Sequence, residues 1–313
     1  MSQNEAAAPD VPLLCVEELS VDFGRHRRPA VRQASFALAA GERLGLIGES
    51  GSGKSVLALA IMGLLPGNAH VFGSVRLRDQ ELVGLDDKGY SWLRGDAMTM
   101  VFQEPMTALD PTMTVGRQVA EVLRLHYARH AAAAARYGVG PDRVAGNARA
   151  RVLGMLEQVG LPDPARIADS FPHQLSGGQH QLVLVAMALI NSPALVICDE
   201  PTTALDVTVQ STVLKLLDAE LSSVGAACLF ISHDLAVVSQ VCSQVMVMYR
   251  GRLVERGSVA QVFGAPQHPY TRGLVATARL DLVPPGQRLP VIEDFLDDSD
   301  GGEADDDDLA GAR

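Results

Sequence analysis

The chain carries, at residues 48–55, the stretch Gly48-Glu49-Ser50-Gly51-Ser52-Gly53-Lys54-Ser55, which fits the pattern GxxxxGK followed by Ser or Thr. The short apolar run Arg43–Ile47 precedes it, and Val56–Leu65 follows with helical character. A glycine-rich loop between a strand and a helix can hold phosphate, because backbone N–H groups converge there at a helix N-terminus. The alternative is a chance turn rich in glycine and serine, which the flanking elements disfavour.

This loop supplies the first set of candidate ligand contacts. Lys54 can reach the β- and γ-phosphates of a nucleotide, and the Ser55 hydroxyl can ligate Mg²⁺. On its own, the motif indicates only a P-loop nucleotide-binding protein. The predicted nucleotide-binding residues of the loop are Gly48, Glu49, Ser50, Gly51, Ser52, Gly53, Lys54 and Ser55.

A second candidate group is the acidic pair that ends the apolar run Leu195–Glu200. A buried strand that carries acids at its carboxyl end delivers them to the crevice where ligands bind in open α/β sheets. We expect Asp199 to support Mg²⁺, which leaves Glu200 to polarise an attacking water as a general base. Taken alone, the pair could equally end a strand in a solvated acidic turn, but its combination with the glycine-rich loop favours the catalytic interpretation.

Alternating strands and helices predict the fold class. Short apolar runs indicate strands, helical periodicity separates them, and a mainly helical insert is expected from about Thr114 to Gly160. This order is typical of an α/β domain with a mostly parallel sheet covered on both faces. The predicted strands are 13–21, 35–39, 43–47, 98–102, 194–198, 227–231 and 245–249, and the predicted helices are 179–190, 207–222 and 235–242.

Charge is distributed unevenly along the 313 residues. Residues 281–313 hold eleven acidic residues and two arginines, so this segment accounts for −9 of the net charge of −11. A block of like charge with few aromatics predicts a disordered tail. The nearly neutral remainder shows none of the basic excess that a nucleic-acid partner would require.

Several classes of protein are disfavoured by composition. No apolar run approaches the length of a membrane span, and residues 1–12 lack the pattern of a secretion signal. The four cysteines, Cys15, Cys198, Cys228 and Cys242, have no metal-ligand or redox spacing. We expect them to be small buried apolar residues in a reducing compartment.

Four further motifs select one family among P-loop proteins. Leu175-Ser176-Gly177-Gly178-Gln179 resembles the signature sequence of ATP-binding-cassette (ABC) ATPases, about twenty residues before the Asp199-Glu200 strand. Gln103 resembles the Q-loop of that family, Asp206 its D-loop aspartate, and His233 its switch histidine. The resemblance implies a P-loop NTPase ABC cassette with a mainly parallel core sheet, an antiparallel N-terminal β subdomain and an α-helical subdomain.

The resemblance also implies roles for these residues, with ATP and Mg²⁺ as ligands. Two cassettes would pack head to tail, so that Ser176, Gly177, Gly178 and Gln179 face the γ-phosphate bound by the partner cassette, with Asp206 at the same interface. His233 would contact the γ-phosphate in cis, and Gln103 would approach Mg²⁺ and the attacking water. The implied catalytic residues are Glu200, His233 and Gln103, and the implied Mg²⁺ residues are Ser55, Gln103 and Asp199.

A closer resemblance points to the oligopeptide, dipeptide and nickel importer ATPases. It is carried by Val101–Pro111, Phe171–Gln174, Pro201–Gln210 and, at the start of the C-terminal extension, His268–Leu274. It implies an ATPase domain at 13–265, with a helical subdomain at about 104–180, and a short extension at 266–290. Residues 1–12 would be a flexible N-terminus and 291–313 a disordered acidic tail.

The leading hypothesis is an ATPase that energises an importer from the cytoplasmic face of the membrane. Its implied partners are permease subunits, a second cassette, identical or paralogous, and indirectly an extracytoplasmic solute-binding protein. Three alternatives remain: an exporter subunit, a soluble cassette ATPase acting on ribosomes or nucleic acid, and a regulatory module that holds ATP without turnover. The intact Glu200 and His233 argue against the last of these.

Overall fold

Two β-sheets form the framework of the protein in the computed structural model, which describes residues 12–102, 108–134, 148–202, 207–278 and 291–296. The first sheet is antiparallel, with the order β2-β1-β4-β5. Its strands are β1 (Leu14–Phe23), β2 (Arg28–Leu38), β4 (Ala69–Leu77) and β5 (Gln80–Glu81).

The second sheet has the order β10-β9-β3-β8-β7-β6 and is parallel except for its edge strand β10. The predicted α/β fold class, with an antiparallel N-terminal sheet beside a mainly parallel core sheet, is thus confirmed. The strands are β3 (Arg43–Ile47), β6 (Met98–Val101), β7 (Leu195–Asp199), β8 (Ala227–Ile231), β9 (Gln244–Tyr249) and β10 (Arg252–Ser258).

Ten α-helices lie in the described part of the chain, and none of them is long and apolar enough to cross a bilayer. They are α1 (Lys54–Met62), α2 (Asp87–Leu93), α3 (Val115–Ala134), α4 (Ala148–Gln158), α5 (Pro164–Asp169), α6 (Gly177–Leu189), α7 (Val207–Val224), α8 (Leu235–Val241), α9 (Val259–Gly264) and α10 (Pro269–Ala278).

The parallel strands are apolar throughout because both faces of their sheet are buried. Along β7, Val196 and Cys198 join one hydrophobic cluster, whereas Leu195 and Ile197 join the other. The helices α3 to α10 contribute to the first cluster, and α1 and the antiparallel sheet contribute to the second. Cys198, Cys228 and Cys242 are free and buried, as the sequence predicts, while Cys15 is only half-buried.

The helical insert predicted from about Thr114 to Gly160 is present as α3 and α4, and α5 follows it. The three helices pack against one another, and α3 and α4 also contact α6. The predicted break near Gly138–Pro141 lies outside the described residues. Strand β4, helix α2 and the hairpin strand β10 were not predicted. Their side chains are partly exposed, which removes the continuous apolar run that marks a buried strand.

Residues 291–296 differ from the prediction that the acidic tail is disordered from residue 291. Ile292–Phe295 forms a 3₁₀ turn that packs on α10, and Ile292 is buried in the first cluster. Close packing requires Gly273 on the facing helix, since a Cβ there would lie 3.1 Å from the Ile292 Cα. The charge of the whole segment concealed these few apolar side chains.

Substitution at the end of α1 tests how tightly this helix is held behind the phosphate loop. Gly63 ends α1 with φ 62°, and a Cβ there would overlap the ring of Tyr90. We expect Gly63→Ala to lower the free energy of unfolding by about 2–4 kcal/mol, through overpacking and left-handed strain. Gly67→Ala, where nothing lies within 4 Å of the added Cβ, is the control and should change stability by less than about 0.5 kcal/mol. Urea denaturation of the three proteins provides the measurement, and equal stabilities would contradict the described packing.

Candidate functional site

The loop between β3 and α1 adopts a backbone that only glycine allows at several positions. Gly48, Gly51 and Gly53 have φ of 154°, 80° and 106°, in or beyond the left-handed region. A Cβ at Gly48 would collide with the Met248 carbonyl oxygen, and one at Gly53 would lie 2.5 Å from the Ala30 carbonyl oxygen. The loop is therefore packed closely from behind, and its N–H groups lead directly into the N-terminus of α1.

Lys54 begins α1 and lies inside this loop, with only 5% of its surface exposed. Its Nζ donates hydrogen bonds to the carbonyl oxygens of Gly48 at 2.7 Å and Glu49 at 2.8 Å. Burial lowers the pKa of the ammonium, while the nearby carboxylates of Glu200 and Asp199 act in the opposite direction. A desolvated cation in a glycine-rich cradle is suited to bind an anion such as phosphate.

Asp199 ends β7 beside this lysine and provides an oxygen suited to a divalent cation. Among the described residues, its buried Oδ1 has no hydrogen-bond partner. Burial raises the pKa of the carboxyl, and the Ser55 hydroxyl and Lys54 oppose that shift. Mg²⁺ prefers a few carboxylate and hydroxyl oxygens together with phosphate and water, so Ser55 and Asp199 fit this ion. When bound, Mg²⁺ neutralises charge on the phosphate oxygens.

Glu200 and His233 form a pair at the ends of neighbouring strands β7 and β8. His233 Nδ1 lies 3.1 Å from Glu200 Oε2, and the side chains are 55% and 14% exposed respectively. Glu200 has φ 48°, which is strained for a residue with a side chain, and its N–H donates to the Ile231 carbonyl at 2.9 Å. The Glu200 carboxylate lies near Lys54 as well as His233.

The signature residues stand at the N-terminus of a different helix, α6. Ser176 Oγ accepts from the Gln179 N–H at 3.3 Å, and Gln179 Oε1 accepts from the Ser176 N–H at 3.0 Å, which forms a capping box. His180 is buried, and its Nδ1 lies 3.0 Å from the Ser176 carbonyl oxygen. Ser176 and Gly177 themselves are exposed, so this helix end faces outward.

The structure thus brings together part of the predicted site. The loop residues 48–55 meet Asp199, Glu200 and His233 at the carboxyl edge of the parallel sheet. Gly177, Gly178 and their neighbours in the signature are placed separately, at the exposed end of α6. Gln103 and Asp206 lie outside the described residues, and their roles remain predictions.

One contact to the loop was not predicted from the sequence. The Glu49 backbone N–H donates to the Tyr270 hydroxyl at 2.9 Å, from a residue 221 positions further along the chain. Local patterns carry no signal for such a long-range contact. The only sequence feature at this position is the resemblance of His268–Leu274 to a C-terminal extension.

A phosphate cradle followed by acidic residues on a parallel sheet defines a P-loop nucleotide-binding protein. Residues 31–203 match the family described as ABC transporter. The chain belongs to this family.

Sequence similarity to individual proteins supports the same family membership. The chain is 45% identical over 283 residues to "Oligopeptide transport ATP-binding protein OppD" of Mycobacterium tuberculosis, covering 90% of this chain and 44% of that protein. It is 42% identical over 267 residues to the protein of the same name from Lactococcus lactis subsp. cremoris, covering 84% and 75%. The chain thus spans less than half the length of some relatives that it matches.

A solved structure supports the fold. The ATP-binding cassette MJ0796, in a dimeric post-hydrolysis state bound to ADP and Pi, superposes with a TM-score of 0.65 at 26% identity. The match covers 79% of this chain and 98% of that one. The predicted ABC cassette fold is confirmed by this similarity.

Replacement of the buried lysine tests the cradle. We expect Lys54→Met to weaken ATP binding at least about tenfold, because a charge-assisted hydrogen bond to phosphate is lost. Its free energy of unfolding should stay equal or rise, because burial of the ammonium opposes folding, as the lowered pKa indicates. Lys215→Met, on the exposed face of α7, is the control. Titration calorimetry and thermal unfolding report the two effects, and unchanged ATP affinity in Lys54→Met would refute the assignment.

Proposed function

We propose that this protein is the ATP-hydrolysing subunit of an ABC importer for peptides or a related small solute. The observation that carries the proposal is the pair of Glu200 and His233 beside a buried Lys54 at one edge of the sheet. A regulatory cassette that only holds ATP has no need of a positioned base. The ATP-binding names of the relatives and their similarity along the cassette support the same activity.

The side chains divide the chemistry among them. Lys54 and the loop N–H groups bind the β- and γ-phosphates, and Ser55 and Asp199 hold Mg²⁺. Glu200 accepts the proton of the attacking water, which is the role of a general base within hydrogen-bond reach. His233 contacts the γ-phosphate and orients the Glu200 carboxylate through their 3.1 Å contact. Gln103, by resemblance, completes the Mg²⁺ and water contacts.

A second cassette completes the site in this proposal. Ser176, Gly177, Gly178 and Gln179 stand at an exposed helix N-terminus, where backbone N–H groups can receive a γ-phosphate bound by a partner. The capping box preorganises this helix end before the partner arrives. Asp206 belongs to the same predicted interface. The dimeric state given for MJ0796 supports this arrangement.

An apolar groove beside β6 is the proposed docking site for permease subunits. Its volume is about 380 Å³, and it lies at the point where the chain leaves β6 toward Gln103. Phe102 and Leu64 are exposed large apolar side chains in its wall. Further lining residues include Met100, Leu184 and Met187, together with the polar Arg94 and Thr99. Exposed apolar surface of this kind indicates a protein-binding site. A permease bound there would sense changes at Gln103.

The class of cargo comes from the relatives. Those named above are oligopeptide transport proteins, and another, from Escherichia coli, is named a glutathione import protein. These names favour short peptides or related solutes delivered by a solute-binding protein outside the membrane. The chain would then act at the cytoplasmic face as a peripheral subunit bound to permeases, with no nucleic-acid partner. An exporter or a soluble cassette ATPase remains the alternative.

Hydrolysis is tested at Glu200. We expect Glu200→Gln to lower kcat for ATP at least about 100-fold while ATP affinity is retained, because a general base is removed without a change in shape. Glu157→Gln, on an exposed face of α4, should hydrolyse ATP at the rate of the parent protein. Phosphate release and nucleotide binding are measured on the same preparations. Unaltered turnover in Glu200→Gln would show that this mechanism is wrong.

The transport assignment is tested at the groove. Tagged protein should recover two multi-span permeases from detergent-solubilised native membranes, and Phe102→Asp should lose them because a charge cannot enter an apolar contact. Phe72→Asp is a matched control, since Phe72 and Phe102 are both 43% exposed and Phe72 lies on the antiparallel sheet. Mass spectrometry identifies what co-purifies. Recovery of ribosomes, or of no membrane protein, would overturn the importer function without affecting the assignment of ATPase activity.

A further inference from the structure

The peptide unit between Gly48 and Glu49 is held from both sides. Its carbonyl oxygen, on Gly48, accepts a hydrogen bond from Lys54 Nζ at 2.7 Å. Its N–H, on Glu49, donates to the Tyr270 hydroxyl at 2.9 Å. In a planar trans peptide these two groups point in opposite directions, so Tyr270 and Lys54 bond to opposite edges of one rigid unit.

The Tyr270 hydroxyl is itself held in a fixed position. The side chain has 0% exposed surface, and its ring stacks on Tyr249 with centroids 4.2 Å apart. Burial chiefly raises the pKa of Tyr270 to about 12, so the hydroxyl is neutral at physiological pH and can accept the N–H. The start of its helix, α10, is anchored by Glu255, which accepts the backbone N–H groups of Gln267 and His268 at 2.9 Å.

The same region of the chain supports the loop at a second point. The Gly251 N–H donates to the Ser52 carbonyl at 2.9 Å, from the turn that joins β9 to β10 and follows Tyr249. The C-terminal hairpin and α10 therefore both form hydrogen bonds with the backbone of the loop.

We propose that Tyr270 is a positioning residue for Lys54; this rests on the proposal that residues 48–55 form the nucleotide site. Because Tyr270 lies on α10, the affinity for nucleotide then depends on this C-terminal helix. Without the hydroxyl, the Glu49 N–H loses its acceptor at a partly buried contact, and an N–H left unpaired against a buried ring is costly. The peptide unit then rotates toward other partners and carries the Gly48 carbonyl away from Lys54. The lysine thereby loses one of the two hydrogen bonds that orient it within the loop.

A purely structural role would give a different result. If the hydroxyl only satisfied the Glu49 N–H, its removal would lower the melting temperature and leave nucleotide binding unchanged. If it positions Lys54, ATP binding weakens while the chemical step, which depends on Glu200, keeps its rate. The separation of KM from kcat therefore distinguishes the two roles.

The test uses Tyr270→Phe in the full chain, with Tyr90→Phe as the matched control. Tyr90 is also a buried tyrosine, but it lies against Gly63, at the end of α1 that is far from the loop. Tyr270→Phe should raise the Kd and KM for ATP about three- to tenfold, the effect of one lost hydrogen bond, with kcat within about twofold. Tyr90→Phe should leave both unchanged. Hydrogen exchange of a peptide covering residues 47–53 should show faster exchange of one amide in Tyr270→Phe only.

Unchanged Kd and exchange in a folded Tyr270→Phe protein would overturn the positioning role. Should that variant not fold, Glu255→Gln takes its place, because it loosens the start of α10 and should raise Kd in the same direction by a smaller factor. An unchanged Kd there would equally overturn the proposal. Lys54→Met, measured in parallel, separates the two possible failures. If it too leaves ATP affinity unchanged, the loop is not the nucleotide site, whereas a loss restricted to Lys54→Met refutes only the role of Tyr270.

Discussion

The carboxyl ends of the parallel strands meet at one edge of the core sheet, and the site depends on this constraint. In the register of the sheet, Leu46 pairs with Ile231 and Ile231 pairs with Asp199. The next residues along each chain segment are therefore neighbours: the glycine-rich loop after β3, Glu200 after β7, and His233 after β8. Because both faces of the sheet are buried, its register cannot slip by one residue without moving apolar side chains from one core cluster into the other. The hydrophobic core thus determines which polar groups meet.

At this edge the protein holds several groups in unfavourable states. Lys54 is desolvated, an oxygen of Asp199 is buried without a described partner, and Glu200 has a left-handed backbone. Each lowers stability by itself, since charges and polar atoms lose solvation when buried and strain opposes folding. A bound phosphate with its cation would satisfy the lysine and the aspartate together. These groups are thus preorganised to bind an anionic ligand with its cation, and the surrounding apolar core holds them in place.

Much of the fold and of this site could be predicted because local sequence patterns specify it. The loop at 48–55 and the acids after Leu195–Cys198 are each contiguous, and buried parallel strands are apolar runs with recognisable ends. The prediction failed where the determining contact is distant or the pattern is mixed. Strand β4 buries only Val75 and Leu77, and residues 291–296 are ordered by α10, not by their own charge. The contact between Tyr270 and Glu49 joins residues 221 positions apart, and no window of sequence can reveal it.

The conformation of the phosphate loop also depends on long-range contacts. The N-terminal sheet contacts the loop at Ala30, and the turn between β9 and β10 contacts it at Gly251. These two regions bond to each other as well, since the Arg32 N–H donates to the Gly251 carbonyl at 2.7 Å. The positive-φ conformations of these glycines therefore depend on segments that are distant in the chain, and bringing those segments together costs loop-closure entropy. The motif is local in sequence, but the conformation that makes it a phosphate site is a property of the completed fold.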